Sequence, residues 1–234
     1  MSPKKKRKNK KKGPDYFVVS RTLAASYVFI VPLLALHEAG LIFHKGAANG
    51  TAVIYGELFA RLNWVGAVAL NLFLLALLCF AIYRTRSERQ HLSGLYAWMF
   101  LESTLWAAAL FVIAVLFQRI DLSIREYSRA FTMAIGAGLF EEFLFRFLLM
   151  GGLILVFHRG LGAPKNAIVP LAAVLAAVVF SLAHHEGVGL GTDPWDWGVF
   201  WLRTLLGALL GAIFWWRGFG IAVYTHALYN VALL

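Results

Sequence analysis

Two adjacent carboxylates and an arginine interrupt a long apolar stretch of the chain. Glu141, Glu142 and Arg146 lie within the otherwise apolar run 131–157, which is long enough to cross a bilayer. A charged side chain at such depth is unfavourable by about 3 kcal/mol or more, and it therefore indicates a functional site. On a helix, Glu142 and Arg146 share a face, whereas Glu141 points about 100° away. The spacing predicts that Arg146 pairs with Glu142 and leaves Glu141 available for chemistry.

These three residues have a second interpretation, which is a structural ion-pair cluster that fixes helix packing. One pair of opposite charges would be enough for that purpose. The second buried carboxylate would then remain unexplained.

Two further polar groups interrupt later apolar segments. Phe180 and His184 are four residues apart, and so are His226 and Asn230. A lone histidine in a membrane span is more often a hydrogen-bonded packing residue. In combination, however, a buried glutamate beside a histidine can activate a water as general base. A second histidine and an asparagine can donate hydrogen bonds to an oxyanion, which completes the parts needed to hydrolyse a peptide bond without a covalent intermediate.

The composition indicates an all-α polytopic membrane protein. Of the 234 residues, 60% are hydrophobic and 15% are charged, against about 25% charged in soluble domains. The single cysteine excludes an intramolecular disulfide and a cysteine-based metal site. We predict a transmembrane bundle of about seven helices, with spans at roughly 22–43, 62–83, 95–118, 131–157, 167–185, 198–216 and 218–234.

The basic residues are concentrated at the start of the chain. Residues 4–12 hold eight of the 22 Lys and Arg, so the remaining 14 nearly balance the 12 Asp and Glu. A basic segment beside apolar spans is typical of a cytoplasmic anchor at an anionic leaflet. We favour this interpretation over a nuclear localisation signal and over a nucleic-acid patch. It places the N-terminus in the cytoplasm and the acidic loop 186–197 outside, although the arginines of 119–129 oppose this orientation.

Three local features make predictions about packing. Glu102 and Arg203 are buried charges that we expect to pair. The spans at 198–216 and 218–234 are separated only by Arg217 and Gly218, which requires a tight turn. The spacing of Gly207 and Gly211 favours close helix contact.

The three motifs together resemble those of the CPBP intramembrane proteases, which include the type II CAAX prenyl endopeptidases and bacteriocin-processing proteins. Residues 141–146 match the EExxxR motif, residues 180–184 match FxxxH and residues 226–230 match HxxxN. All three occur in order on separate apolar spans. The resemblance covers about 131–234, and we divide the chain into a basic cytoplasmic tail (1–15), N-terminal transmembrane helices (16–130) and this catalytic core (131–234).

The resemblance implies a role for each matched residue. Glu141 would be the catalytic base, and His184 would help to activate the water. His226 and Asn230 would stabilise the oxyanion, while Glu142, Arg146 and Phe180 would support them. We expect a glutamate-dependent mechanism without a cofactor, although two histidines and a carboxylate are also a set that can hold zinc.

The substrate is expected to be a membrane protein, or a lipidated or precursor peptide, cut near its terminus. CAAX tails, leader peptides and C-terminal sorting signals all remain possible substrates. The expected position of Glu141 and His184 near the outer ends of their spans favours access from the non-cytoplasmic side. Two rival functions are a non-catalytic scaffold with the same fold and a proton-coupled transporter, and the expected location is a bacterial inner membrane.

Overall fold

The computed structural model describes residues 15–43, 94–117, 127–187 and 193–234, together with isolated positions between 76 and 83. The predictions for the basic tail and for the span 62–83 fall wholly or almost wholly outside these residues. The helices are α1 (Tyr16–Val19), α2 (Leu23–Phe43), α3 (Leu95–Phe117), α4 (Tyr127–Glu141), α5 (Gly151–Ile154), α6 (Lys165–His184), α7 (Trp197–Arg217) and α8 (Phe219–Ala232). Two π-helical segments, Glu142–Met150 and Leu155–Gly160, flank α5 and make the helix continuous from 127 to 160.

The all-α prediction is confirmed for the part of the chain that the structure describes. Each predicted span in that part is occupied by a helix, and no strand is present there. Four helices are long and apolar enough to cross a membrane, namely α2, α3, α6 and α7. The chain is therefore an integral, multi-pass membrane protein.

Helix α8 lies at the centre of the bundle. Its 14 residues extend about 21 Å, which is short of the roughly 30 Å of a bilayer core. Every side chain from Phe219 to Ala227 is buried, and α2, α3, α4 and α7 all pack against it. Burial of consecutive residues on all sides of the helix means that α8 is surrounded by other helices for much of its length.

Small residues allow the helices to approach one another closely. A Cβ atom at Gly138 on α4 would lie 2.6 Å from the backbone nitrogen of Ala227 on α8. Gly207 and Gly211 on α7 face Ala177 and Ala173 on α6 in the same way, at 3.2 and 3.3 Å. The predicted close contact at the glycine pair of α7 is confirmed.

The tight turn between α7 and α8 is formed by Gly218. Its φ of 93° and ψ of 169° lie in a region that side chains strongly disfavour. A Cβ atom at this position would also lie 2.9 Å from the Cα atom of Arg21. Glycine therefore allows α8 to begin directly after α7 ends.

The expected pair of Glu102 and Arg203 is wrong. Glu102 pairs with Arg217, and Arg203 donates to Asp193 at 2.8 Å. Glu102 lies near the start of α3, at the end of the bundle where α7 terminates. Arg203 lies in the second turn of α7, near the opposite end, so it is too distant from Glu102 to form a pair.

The pair of Glu102 and Arg217 also fastens the N-terminal helix α1. The Tyr16 hydroxyl donates to Glu102 Oε2 at 2.7 Å, and Arg217 Nη2 donates to the Ser20 hydroxyl at 3.1 Å. The guanidinium of Arg217 lies 4.5 Å from the ring centre of Phe17. Burial, together with the hydrogen bond to Glu102, raises the pKa of the Tyr16 phenol, which therefore stays a neutral donor.

Candidate active site

The two adjacent glutamates lie where the helix changes its geometry. Glu141 is the last residue of α4, and Glu142 begins the π-helical segment. π-Helical turns are rare and occur frequently at functional sites. Glu141 is 7% exposed and Glu142 is completely buried, so both carboxylates need partners within the protein.

One carboxylate oxygen of Glu142 contacts two side chains. Its Oε1 lies 3.0 Å from Arg146 Nη1 and accepts a hydrogen bond from His226 Nδ1 at 2.8 Å. The pair of Glu142 and Arg146 that the helical spacing predicts is therefore present. The contact with His226 joins the π-helical segment to the central helix α8.

Arg146 is held by three different elements. Besides Glu142, its Nη2 donates to the Gly207 carbonyl at 3.1 Å, and its Cζ lies 4.5 Å from the ring centre of Phe180. A buried guanidinium is tolerated when a counter-charge and hydrogen-bond acceptors surround it. Arg146 thus connects the π-helical segment with α6 and α7.

Glu141 faces the two histidines. Its Oε1 lies 3.7 Å from His184 Nε2, and its Oε2 lies 3.8 Å from His226 Nε2. Both separations exceed a direct hydrogen bond, and a water can link polar groups at such a distance. The carboxylate is therefore arranged to contact small polar molecules between itself and the imidazoles.

The tautomer of His184 is fixed by its own helix. Its Nδ1 donates to the Phe180 carbonyl at 2.8 Å, one turn earlier on α6. In the neutral ring, Nε2 is therefore an acceptor, and it is the atom that faces Glu141. The side chain of His184 is 28% exposed, so the site opens beside it.

Phe180 packs between the charged groups of the site. Its ring centre lies 4.8 Å from that of His184, 5.9 Å from that of His226 and 5.2 Å from that of Phe145. The ring is 5% exposed. Phe180 therefore supports both imidazoles and Arg146 with one apolar side chain.

Asn230 lies one helical turn beyond His226 on α8, on the same face of that helix. The side chain is half-buried and makes no hydrogen bond to any other residue that the structure describes. Its amide is thus available to a ligand. Among the residues predicted for the site, Asn230 is the one whose place rests on helical spacing instead of a direct contact.

Two contributors to the site were not identified from the sequence. The Gly207 carbonyl accepts from Arg146, and Gly138 allows the close crossing that brings α4 to α8. The sequence showed Gly207 as part of a packing pattern, but a carbonyl acceptor has no signature in residue types. Gly138 precedes Glu141 by one helical turn, and that spacing was the only available signal.

Two adjacent polar residues of α2, His37 and Glu38, lie outside this cluster. His37 is buried, and its Nδ1 donates to the Thr132 carbonyl at 3.0 Å. Its ring contacts Phe140 at 5.3 Å between centres, whereas Glu38 is exposed. Within the described ranges, no group of three or more His, Cys, Asp and Glu side chains has the geometry of a metal site.

Comparison with protein families gives one match. The family model described as type II CAAX prenyl endopeptidase Rce1-like matches residues 123–232. The matched segment contains all three motifs and all seven predicted site residues. Searches of curated proteins and of solved structures found no match to the chain. The match over residues 123–232 identifies this part of the chain as an Rce1-like domain, and it supports membership of the CPBP intramembrane proteases.

Proposed function

We propose that this protein is an intramembrane endopeptidase in which Glu141 activates water for the hydrolysis of a peptide bond. The observation that carries the proposal is the arrangement of Glu141, whose two oxygens face Nε2 of His184 and Nε2 of His226. Membership of a protease family supports a protein or peptide substrate. The substrate we propose is a membrane-associated protein or precursor peptide, cut near its terminus.

The nucleophilic water binds between Glu141 and His184. One of its hydrogens is directed to Glu141 Oε1, and the other is directed to the Nε2 acceptor of His184. The oxygen lone pair then attacks the carbonyl carbon while Glu141 takes the proton. General base catalysis of this kind contributes about 10²–10⁴ in rate.

His226 acts in its doubly protonated form. Its Nδ1–H is directed to Glu142, so Nε2 can donate to an oxyanion only when it also carries a proton. Glu141, Glu142 and Arg146 alone would leave one uncompensated negative charge in the buried cluster. A protonated His226 balances that charge and supplies a cationic donor where negative charge develops.

The tetrahedral intermediate then collapses to products. His226 Nε2–H and the Asn230 amide hold the oxyanion while the bond between carbon and nitrogen breaks. Glu141 returns the proton it took from water to the departing amine. One water is consumed, and the products are one carboxylic acid and one amine.

The proposed mechanism requires no metal ion. By residue type, Glu141, His184 and His226 are the set that would hold zinc, with Glu142 behind His226. As placed, their side chains do not have the geometry of a metal site. A chelator distinguishes the two mechanisms, because peptide hydrolysis by Glu141 alone is unaffected by removing divalent metals. A loss of activity that added zinc restores would contradict the metal-free mechanism.

The cellular setting is part of the same proposal. We place the protein in a bacterial inner membrane with a cytoplasmic N-terminus, because the basic tail suits an anionic leaflet and not a nucleic acid. In that orientation, the opening beside His184 lies towards the outer side. Such access suits the processing of exported precursors better than the cleavage of cytoplasmic CAAX tails.

The experiment that tests the function compares protein termini in host membranes. One culture produces the wild-type chain, and a second produces Glu141→Gln at matched abundance. Glu38→Gln is the control, because it makes the same change at an exposed glutamate outside the site.

We expect new termini in the membranes that contain wild type or Glu38→Gln, and none with Glu141→Gln. These termini would identify the substrate and the cleaved bond together. Identical termini with wild type and Glu141→Gln in the organism of origin would overturn the proposal in favour of a scaffold.

A further inference from the structure

Exposed tryptophans lie at both ends of α7. At its start, Trp197 and Trp201 are 61% and 59% exposed, and Trp195 just before the helix is 41% exposed. At its end, Trp216 is 64% exposed. The rise from Trp197 to Trp216 is about 28 Å at 1.5 Å per residue, which is close to the thickness of a bilayer core.

The end marked by Trp216 carries other groups typical of a membrane boundary. Trp98 on α3 is 60% exposed and lies one turn from Glu102, which pairs with Arg217. Arg21 is exposed and donates to the Trp215 carbonyl at 3.2 Å. Tryptophan and long basic side chains favour the interface, where a polar group remains hydrated beside an apolar body.

We propose that these tryptophans contact the two boundaries between lipid headgroups and hydrocarbon, and thereby fix the depth of the catalytic site. The Trp195 rim (Trp195, Trp197 and Trp201) marks one boundary. The Trp216 rim (Trp98 and Trp216) marks the other. The partner of both rims is the lipid bilayer, because the apolar helix between them matches its thickness.

With the two rims at the two boundaries, Arg146 lies near the middle of the bilayer. Gly207, whose carbonyl accepts from Arg146, is ten residues from Trp197 and nine from Trp216 along α7. At 1.5 Å per residue it therefore lies about 15 Å below the Trp195 rim. The carbonyl that accepts from the guanidinium is therefore nearly equidistant from the two rims along α7.

Glu141 lies nearer to the Trp195 rim. It precedes Arg146 by five residues of a helix that descends from that side, which corresponds to about 7 Å. His184 is tied to the rim itself, since its carbonyl accepts from Asp193 N at 3.2 Å and the next ring, His185, lies 4.8 Å from Trp195. The Glu141–His184 pair is thus about 8 Å below one boundary and about 20 Å from the other.

The depth has a consequence for the reaction, and this step rests on the proposed function. Water and the substrate reach Glu141 from the Trp195 rim, where the path is shortest and where His184 is partly exposed. The cleaved bond must then enter the membrane by a few residues of extended chain. A substrate segment that is unfolded at the membrane surface meets this requirement.

The test uses a nitroxide label on single cysteines in a Cys79→Ser background of the full chain, reconstituted in phosphatidylcholine vesicles. The labelled positions are Trp197→Cys, Leu205→Cys and Trp216→Cys on α7, each at an exposed side chain. Collision with oxygen and with a water-soluble nickel chelate reports the depth of each label. Leu175→Cys on α6 is a fourth position, which lies between Ala173 and Ala177, the residues that face Gly211 and Gly207 of α7, and is 43% exposed.

We expect the Leu205 label to lie about 12 Å deeper than the Trp197 label, from eight residues of helix. The Leu175 and Leu205 labels should have similar depths, and the Trp216 label should be shallow again. A steady change from Trp197 to Trp216, or a water-exposed Leu205 label, would overturn the placement. Quenching of the eight native tryptophans by lipids brominated near the headgroup, compared with lipids brominated near the chain end, gives a second measurement without substitution on α7.

The proposed depth of the tryptophan rims and the proposed enzymatic activity can be overturned independently. A wild-type chain that cleaves nothing but shows the expected label depths would overturn the proposed function and support the rims. A chain that cleaves its substrate with labels at other depths would overturn the rims alone.

Discussion

At the scale of single residues, two adjacent carboxylates occupy different environments. Glu142 is enclosed, with Arg146 and His226 both at its Oε1. Glu141 lies one residue earlier and faces two imidazoles at nearly 4 Å, beside the opening at His184. When two carboxylates lie in different environments, they commonly have different roles in catalysis.

A double-mutant cycle tests the buried pair. Arg146→Met leaves Glu142 without its guanidinium in a fully buried site, and we expect a loss of about 3–5 kcal/mol in unfolding free energy. Arg146→Met combined with Glu142→Gln should lose less than Arg146→Met alone, because the orphaned charge is also removed. Denaturant unfolding in detergent micelles measures Arg146→Met, Glu142→Gln and the double variant. Single losses that simply add up in the double variant would mean that the two residues do not act as a pair.

Asn230 offers a test of the oxyanion site that does not depend on folding. We expect Asn230→Ala to lower the rate of peptide hydrolysis by about 10²–10³, the usual effect of losing one oxyanion donor. The unfolding midpoint should remain unchanged, because the side chain is half-buried and bonds to no other described residue. A rate within threefold of wild type would remove Asn230 from the proposed mechanism.

At the scale of elements, the crossing of α4 and α8 brings the carboxylates to His226. The two helices approach so closely at Gly138 that a methyl group would meet the Ala227 backbone at 2.6–2.7 Å. Gly138 is one turn from Glu141 and Glu142, so a small displacement there is transmitted directly to the catalytic contacts.

Gly138→Ala should therefore separate the helices. We expect a loss of about 1–3 kcal/mol in stability, the usual cost of overpacking, together with reduced hydrolysis. Gly152→Ala is the matched control in the same continuous helix, where a Cβ atom meets nothing within 4 Å. The unfolding free energy of that variant should be within about 1 kcal/mol of the wild-type value. Equal behaviour of the two variants would show that the close crossing is not required.

The turn between α7 and α8 gives a second prediction at this scale. Gly218→Ala combines a disfavoured φ of 93° with a Cβ atom 2.9 Å from Arg21 Cα. Gly162→Ala has a φ of 73° but open space around the new atom. Thermal unfolding should show a clearly larger loss for Gly218→Ala than for Gly162→Ala, which carries only the backbone strain of about 1–3 kcal/mol. Similar losses would mean that packing against Arg21 adds nothing.

At the scale of the whole molecule, a short central helix is enclosed by longer ones. Helices α2, α3, α6 and α7 supply the length to cross the membrane, while α8 supplies His226 and Asn230 from within. A catalytic helix that is shielded from lipid can carry polar side chains at a lower cost than a peripheral one. The polar residues of α8 are therefore compatible with its apolar surroundings.

The positions of the helices could be predicted from the sequence, and so could contacts between residues of the same helix. Both depend only on residues that are close together along the chain. The contact of Glu142 with Arg146 and the turn at Gly218 both follow from spacing along the chain. The pairing of Glu102 was predicted wrongly, because contacts between helices depend on which ends meet, and two arginines of α7 were available. The contact between Glu142 and His226 could not be predicted for the same reason, because the two residues are 84 positions apart in the sequence and lie on different helices.

The single-turnover hydrolysis rate of purified Glu141→Gln in lipid vesicles tests directly whether Glu141 activates the water. The substrate is the peptide defined by the termini that wild type generates, and the unfolding midpoint of each protein is measured in parallel. We expect a rate about 10²–10⁴ below wild type with little change in the midpoint, because the base is lost while its surroundings remain. Hydrolysis by folded Glu141→Gln within threefold of wild type would contradict the claim that Glu141 activates the water.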